Sequence, residues 1–260
     1  MRGVYRIIIK ILSYNIHKGF DWKNKKYFLQ EMKNFISSSK ADVVCLQEVV
    51  GKNNKFKNQG LIDSQFEFLA DELWPHYSYG HNAVYDHGHH GNLILSKFPI
   101  LEFQNVDIST NMWEKRGLLL CKISIPENKS EHNFLYVACS HLNLLHTGRL
   151  KQYQKIKNQI ILNNDEKSPF IIAGDFNDWN KKCSNVFEDE LKMQDVHKAY
   201  TGSFAKTFPA AYPFFCLDRI YVKNVNIKNS EILKPKLAHT ISEHLSDHLA
   251  LFCEVELYES

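Results

Sequence analysis

Eight polar residues stand at the ends of apolar runs in this 260-residue chain. Asn15 follows IIIKILSY, Glu48 follows DVVCLQ, and His141 follows FLYVACS. Asp175 and Asn177 follow FIIAG, Asp218 precedes RIYV, and Asp247 and His248 precede LALF. Asn15, Glu48 and Asp247 offer hard oxygen ligands with no thiolate among them, a donor set that favours Mg2+ or Mn2+ over zinc. His141 and His248 are able to move protons near neutral pH. Asp218 is suited to orient His248 and stabilise its charged form, as the acid of a hydrolase triad does. Asp175 and Asn177 are suited to position a water for in-line attack. A cation, a held water and a proton donor together make a phosphate-ester hydrolase.

Taken singly, each of these residues has an ordinary structural explanation. GDFN at 174–177 reads equally as an Asx turn after a strand, SDH at 246–248 as a capped loop, and Asp218–Arg219 as an ion pair. The argument rests on their joint occurrence at strand boundaries. Arg116 in EKRG is a candidate phosphate clamp, because a guanidinium offers phosphate two donors; an ion pair with Glu114 is the alternative. The run from His87 to His90 reads as a glycine-loosened, solvated loop, with a substrate-facing role left open for His90. Trp22, Trp113 and Trp179 are groove or loop-packing residues, and Lys52, Lys55 and Lys57 belong to a solvated loop. AAYPFF, from Ala210 to Phe215, suits an active-site wall better than a membrane hairpin.

The elements that must position these residues are legible as periodic runs. Strands are expected at Ile7–Asn15 and Asp42–Gln47, with a helix at Lys26–Ser38 between them, an α/β opening. A helix is expected at Ser64–Leu73, where Ser64 and Glu67 have the spacing of a capping box. Strands follow at Asn92–Ser96, Ile100–Ile108, Gly117–Ile125 and Asn133–Ser140, whose tight spacing, without room for helices, argues antiparallel pairing. A helix is expected at Thr147–Leu162, with Leu150, Tyr153, Ile156, Ile160 and Ile161 on one face. The last strands are Phe170–Ala173, Leu217–Val222, Ile227–Leu233 and Leu249–Leu257, with a looser stretch from Asn177 to Pro213. With no repeat, linker or break in composition, residues 1–260 read as one domain of two stacked sheets flanked by helices.

A net charge of +3 permits a polyanionic partner without demanding one. The six cysteines include no C-x-x-C pair, which leaves zinc-ribbon and thioredoxin-like chemistry unsupported. They point to a reducing compartment, and a cytoplasmic protein is expected. Met1–Leu12 has basic residues before Ile7–Ile9, but the apolar run is short and broken by Lys10, so a buried first strand is the better reading than a signal peptide. No run approaches a membrane span.

The ordered set SYNIHKG, LQEV, GNLILS, SHLNL, GDFND, LDRIYV and SDHLAL resembles the endonuclease/exonuclease/phosphatase superfamily, which includes DNase I, neutral sphingomyelinases and inositol polyphosphate 5-phosphatases. The likeness runs from residue 10 to residue 253, and LWPHYSYGHNAVY and EKRGLL look like a bacterial subgroup. It implies a four-layer α/β/β/α sandwich with Mg2+ or Mn2+ at the strand ends. On that resemblance Asn15 and Glu48 hold the cation, and Asp247 is a metal-side acid. His141 protonates the leaving oxygen, Asp175 and Asn177 position water and phosphate, and Asp218 and His248 flank the scissile phosphate. The general base stays open between Asp175 and His248. DNase I supports its acid histidine with a glutamate, whereas the matching stretch here is His89–His90–Gly91–Asn92; Asn92 is the expected substitute. The expected activity is a phosphodiesterase acting on nucleic acid or phospholipid. The alternatives are a phosphomonoesterase of a sugar or inositol phosphate and a binding protein that has lost chemistry. No stable protein partner is implied and a monomer is expected.

Overall fold

The computed structural model describes residues 7–21, 23, 26–53, 64–70, 73–85, 88–125, 133–163, 167–235 and 244–257. In chain order the elements are β1 (Ile7–Asn15), α1 (Leu29–Ser38), β2 (Val43–Asn53), α2 (Gln65–Ala70), β3 (His76–Tyr85), β4 (Gly88–Ser96), β5 (Ile100–Asp107) and β6 (Gly117–Ser124). There follow β7 (Phe134–His141), α3 (His146–Asn163), β8 (Phe170–Asp175), β9 (Gln194–Asp195), α4 (Val196–Thr201), β10 (Asp218–Lys223), β11 (Val225–Leu233) and β12 (Ala250–Leu257). They form two mixed six-stranded sheets, ordered β11-β12-β1-β2-β4-β3 and β5-β6-β7-β8-β10-β9. Each sheet has a parallel pair near its middle, β1 with β2 and β7 with β8.

Three apolar layers make this a four-layer α/β/β/α sandwich. Between the sheets, Ile9, Ile11, Val43 and Ile94 meet Leu119, Val137, Ile171 and Ile220, all fully buried. Each such side chain contributes roughly 1.5–3 kcal/mol by leaving water. Four cysteines, Cys45, Cys121, Cys139 and Cys253, lie in the same layer as small apolar residues, and all six are free thiols. On one outer face α1 buries Leu29, Met32 and Ile36, an i, i+3, i+7 stripe. On the other, α3 packs Tyr153, Ile156 and Ile160 over Phe170 and Ile172.

Several expectations need correction. The buried face of α3 is Arg149, Gln152, Tyr153, Ile156 and Ile160; Leu150 and Ile161 are exposed, because one residue's offset turns a helical side chain by about 100°. Helix α2 is one short turn and a half, and Ser64 before it has φ 61°, not the extended backbone of a usual N-cap. Strand β2 runs on to Asn53, so Lys52 belongs to a strand; Lys55 and Lys57 lie outside the described residues. Strand β3 was not expected, and β4 begins at Gly88, which puts His89 and His90 in a strand and not in a solvated loop. His87 and Trp22 lie outside the described residues. The stretch 177–213 contains β9 and α4.

Candidate active site

Strand register gathers the second sheet's polar residues. His141 is the last residue of β7 and pairs with Asp175, the last of β8. Asp218, the first of β10, pairs with Asp175 from the other side. Three neighbouring strands therefore end on a histidine and two aspartates. The first sheet contributes Asn15 from the end of β1. Glu48 arrives differently: it sits inside β2, where the register against β4 shifts between Leu46 and Val49, with φ 59°. A β-bulge re-aims a side chain that would otherwise alternate with its neighbours. A non-glycine residue in the left-handed region costs about 1–2 kcal/mol, so the surrounding structure must hold it. Gln65 helps to do so, accepting a hydrogen bond from the Val50 N–H at 2.8 Å and donating one to the Lys18 carbonyl at 2.9 Å.

Asp175 Oδ2 is the hub. Asn15 Nδ2 donates to it at 3.2 Å, His141 Nε2 lies 3.4 Å away and His248 Nε2 3.6 Å away. Asp175 Oδ1 accepts from the Asn177 N–H at 2.9 Å, and Asn177 Nδ2 donates to the Leu142 carbonyl at 3.0 Å, tying the GDFN turn to the end of β7. His248 Nδ1 lies 2.8 Å from Asp218 Oδ2, which also accepts from the Thr207 hydroxyl. Ser246 donates its hydroxyl to the Asn15 carbonyl at 2.7 Å and accepts from the His248 N–H at 3.2 Å, joining SDH to the end of β1. Asp247 Oδ1 lies 3.8 Å from His17 Nδ1, and Glu48 Oε2 lies 3.3 Å from Lys18 Nζ.

Burial and neighbours set the protonation states. Burial pushes Asp175 up, His248 pulls it back and Asp218 adds to the rise, leaving it at about 7. Burial pushes His248 down, but Asp218 and Asp175 outweigh this and raise it to about 10, so it is a cation near neutral pH. Burial, then the Arg116 guanidinium, hold His141 well below the ordinary imidazole range. Burial pushes the Glu48 carboxyl up, yet His141, Lys18 and His17 together hold it below the usual carboxylate range. Since His141 is neutral in its own surroundings, the Lys18 ammonium is the partner that matters. Burial and Lys18 lower His90 to about 4.

The donor set fits a hard divalent cation. Glu48 Oε2 is buried and accepts no hydrogen bond, its charge met by Lys18 Nζ at 3.3 Å, so its hydrogen-bonding capacity is left for a cation. A different trio, Asp175, Asp218 and His248, places one ligand atom each within 4.8 Å of the others and could also hold an ion. In that trio His248 would bind through Nε2 after losing a proton, with Nδ1 held by Asp218, as metal-ligating histidines usually are.

Two sequence expectations change role. Asn92 donates to the Gly117 and Cys139 carbonyls at 3.0 and 3.2 Å, so it stitches β4 to the second sheet and does not orient His141. The carboxylate nearest His141 Nδ1 is Glu48 itself, at 3.9 Å. Arg116 makes the ion pair that was the alternative to a phosphate clamp, Nη2 to Glu114 Oε1 at 2.8 Å, while its Nε is buried without a hydrogen bond and its charge reaches His141 and His90. His90 stands close enough to Glu48 and Lys18 to feel both charges. Trp179 packs edge-on against Phe215, and Trp113 projects into solvent. The wall segment touches the site directly, the Ala210 N–H donating to the Asp247 carbonyl at 2.7 Å, and just before it the Phe208 ring lies 4.9 Å from His248. Thr207 and Gln65 were not singled out from the sequence. Lys18 lies inside the quoted motif SYNIHKG and Ser246 opens SDHLAL, whereas Thr207 and Gln65 carry no local signal.

The endonuclease/exonuclease/phosphatase family model matches residues 12–248. The chain is 38% identical over 251 residues to the uncharacterized protein YbhP of Escherichia coli K12, covering 95% of this chain and 96% of that one. Its fold is similar to that of the mannosyl-6-phosphatase Bt3783 of Bacteroides thetaiotaomicron, with TM-score 0.71, 16% identity, and 95% and 99% of the two chains covered. It is also similar to D. rerio TDP2 complexed with a single-strand DNA product, with TM-score 0.69, 19% identity, and 95% and 98% covered. With every motif-bearing strand end inside the matched span, the chain belongs to the endonuclease/exonuclease/phosphatase family.

Proposed function

We propose that this protein is a divalent-metal-dependent phosphodiesterase acting on nucleic acid or phospholipid. The observation that carries the reading is the convergence of Asn15, His141 and His248 within 3.6 Å of Asp175 Oδ2. Asn15, Glu48 and Asp247 would hold Mg2+ or Mn2+, which when bound supplies Lewis-acid stabilisation of a phosphoryl oxygen. Asp175, poised at about 7, is matched to taking a proton from an attacking water near neutral pH. His248, held protonated by Asp218, offers a fixed positive charge to the phosphoryl oxygens instead of a base. His141 delivers a proton to the leaving oxygen. It is neutral while the site holds no substrate; an arriving phosphate anion favours the imidazolium, so the substrate itself charges the acid. Arg116, with an unpaired buried Nε, is a phosphate clamp, and His90 lines the substrate side beside Glu48. The six buried free thiols favour a reducing compartment, the cytoplasm. No helix among the described residues is long and apolar enough to cross a membrane.

The second reading, a phosphomonoesterase, is supported by the fold shared with mannosyl-6-phosphatase. The test is a panel of bis-p-nitrophenyl phosphate, p-nitrophenyl phosphate, plasmid DNA and phospholipid, each with Mg2+, with Mn2+ and with EDTA. Selective, EDTA-sensitive diester cleavage is the expected outcome. Cleavage of the monoester alone would establish the second reading, and no turnover of any compound with either metal would leave a binding protein.

A further inference from the structure

We infer that the loop 109–116 and the segment 142–148 form a docking face for anionic phospholipid bilayers, with a small pocket between them that takes a headgroup phosphate. The two are joined to each other. Glu114 Oε1 accepts the Leu144 N–H at 3.0 Å, and Asn143 Nδ2 donates to the Thr110 hydroxyl at 2.8 Å. Both leave the rim of the pit: Asn143 lies two residues after His141, and the first loop ends at Arg116.

Their tips are unusually apolar for solvent. Met112 is 73% exposed, Trp113 86%, Leu144 57% and Leu145 69%. Four large exposed apolar side chains on two hydrogen-bonded segments exceed the scattered single residues of an ordinary surface, and an exposed apolar patch marks a surface that meets something. Charge indicates what it meets. The exposed charges of residues 109–116 and 142–151 are Lys115 and Lys151, since Glu114 is paired with Arg116 and Arg149 is buried. Apolar tips interleaved with lysines suit an anionic lipid interface, where burial of the tips and attraction to the headgroups add.

Between them is a pocket of about 150 Å³ lined by Thr110, Asn111, Asn143, Leu145, Thr147 and Lys151. Hydroxyl and amide groups with one ammonium are phosphate-binding chemistry, and Leu145 at the edge places the pocket at the depth where headgroups lie if the tips insert. A single-stranded nucleic acid fits less well. Base stacking needs aromatic faces, and three of the four tips are aliphatic.

The face rests on the proposed function only for its position beside the pit, so binding is measured without turnover. The full chain in EDTA is cosedimented with phosphatidylcholine vesicles and with vesicles containing about one-third phosphatidylglycerol. Binding is expected only to the anionic vesicles, with weakening by salt and a blue shift in tryptophan emission that Trp113→Phe abolishes. Met112→Ser with Trp113→Ser is expected to reduce binding roughly tenfold or more, and Lys151→Glu to reduce it further. The Met112 and Trp113 substitutions leave hydrolysis of soluble bis-p-nitrophenyl phosphate unchanged. The inference is overturned by no vesicle binding, by equal binding to neutral and anionic vesicles, by undiminished binding of the double variant, or by a single-stranded oligonucleotide binding through Trp113 where vesicles do not. A chain that binds vesicles yet hydrolyses nothing in the panel keeps the docking face and loses the proposed function.

Discussion

His248 Nδ1 lies 2.8 Å from Asp218 Oδ2, inside a pit where both side chains are shielded from water. The pair fixes which way stability responds to alkali. The imidazole is raised from its unfolded value near 6.5 to about 10, so between those values the folded state holds a proton that the unfolded state has released. The contribution is fully present below 6.5 and is lost as pH rises through 10, at no more than about 1.4 kcal/mol per pH unit. His248→Gln keeps a polar side chain without that proton. Thermal melts in EDTA from pH 6.5 to 10 are expected to show a steeper loss for the parent than for the variant. Parallel curves would mean that His248 is not held as a cation.

Glu48 is the proposed anionic ligand in the first sheet, and its Oε2 accepts no hydrogen bond. Glu48→Gln preserves the shape of the bulged residue and removes the charge. The expected result is a Mg2+ dependence of activity shifted at least tenfold to higher concentration, with weaker Mg2+ binding in calorimetry and little change in melting temperature. Unaltered Mg2+ dependence would move the cation to the trio of Asp175, Asp218 and His248.

The extent to which the site could be read in advance follows from how each residue is placed. Asn15, His141, Asp175 and Asp218 sit where an apolar strand stops, and a hydrophobic run followed by a polar residue is a pattern that one chain displays. Their mutual approach was not visible, because it depends on pairing β7 with β8 and β8 with β10 across more than thirty residues. Glu48 was identified as lying beyond a strand, whereas β2 continues past it and only a bulge turns the side chain inward. Periodicity cannot show a bulge, since it reveals itself in the partner strand's register. Strand β3 was missed because His76–Tyr85 mixes histidines, a glycine and an asparagine with its tyrosines, which blurs the alternation of an ordinary strand. Asn92 adjoins the site in sequence logic, but its amide found two backbone carbonyls instead.

His141 is proposed to protonate the leaving oxygen, so its importance depends on the leaving group. His141→Ala is expected to lower kcat by about 10²–10⁴ on a diester with an alkoxide leaving group. On bis-p-nitrophenyl phosphate, whose leaving group needs no proton, the loss should be much smaller. Mg2+ binding should be nearly intact, because His141 approaches Glu48 only to 3.9 Å. Equal losses on both substrates would assign His141 to binding or to positioning of Asp175.

Thr207 is fully buried and donates its hydroxyl to the same Asp218 oxygen that receives His248. Its carbonyl accepts the Leu249 N–H at 2.8 Å, so the residue also secures the start of β12 behind the imidazole. Thr207→Val keeps the volume and the backbone bond while deleting the hydroxyl. Asp218 then loses a donor in a buried place, at a cost of about 1–3 kcal/mol to stability. The carboxylate, with less of its charge engaged, should hold the His248 proton more tightly and aim it less well. The expected signature is a fall in kcat with little change in KM, and Thr207→Ser should recover most of both stability and rate by restoring the hydroxyl. If Thr207→Ser is as impaired as Thr207→Val, the methyl group's packing matters rather than the bond, and Thr207 has no part in aligning the Asp218–His248 pair.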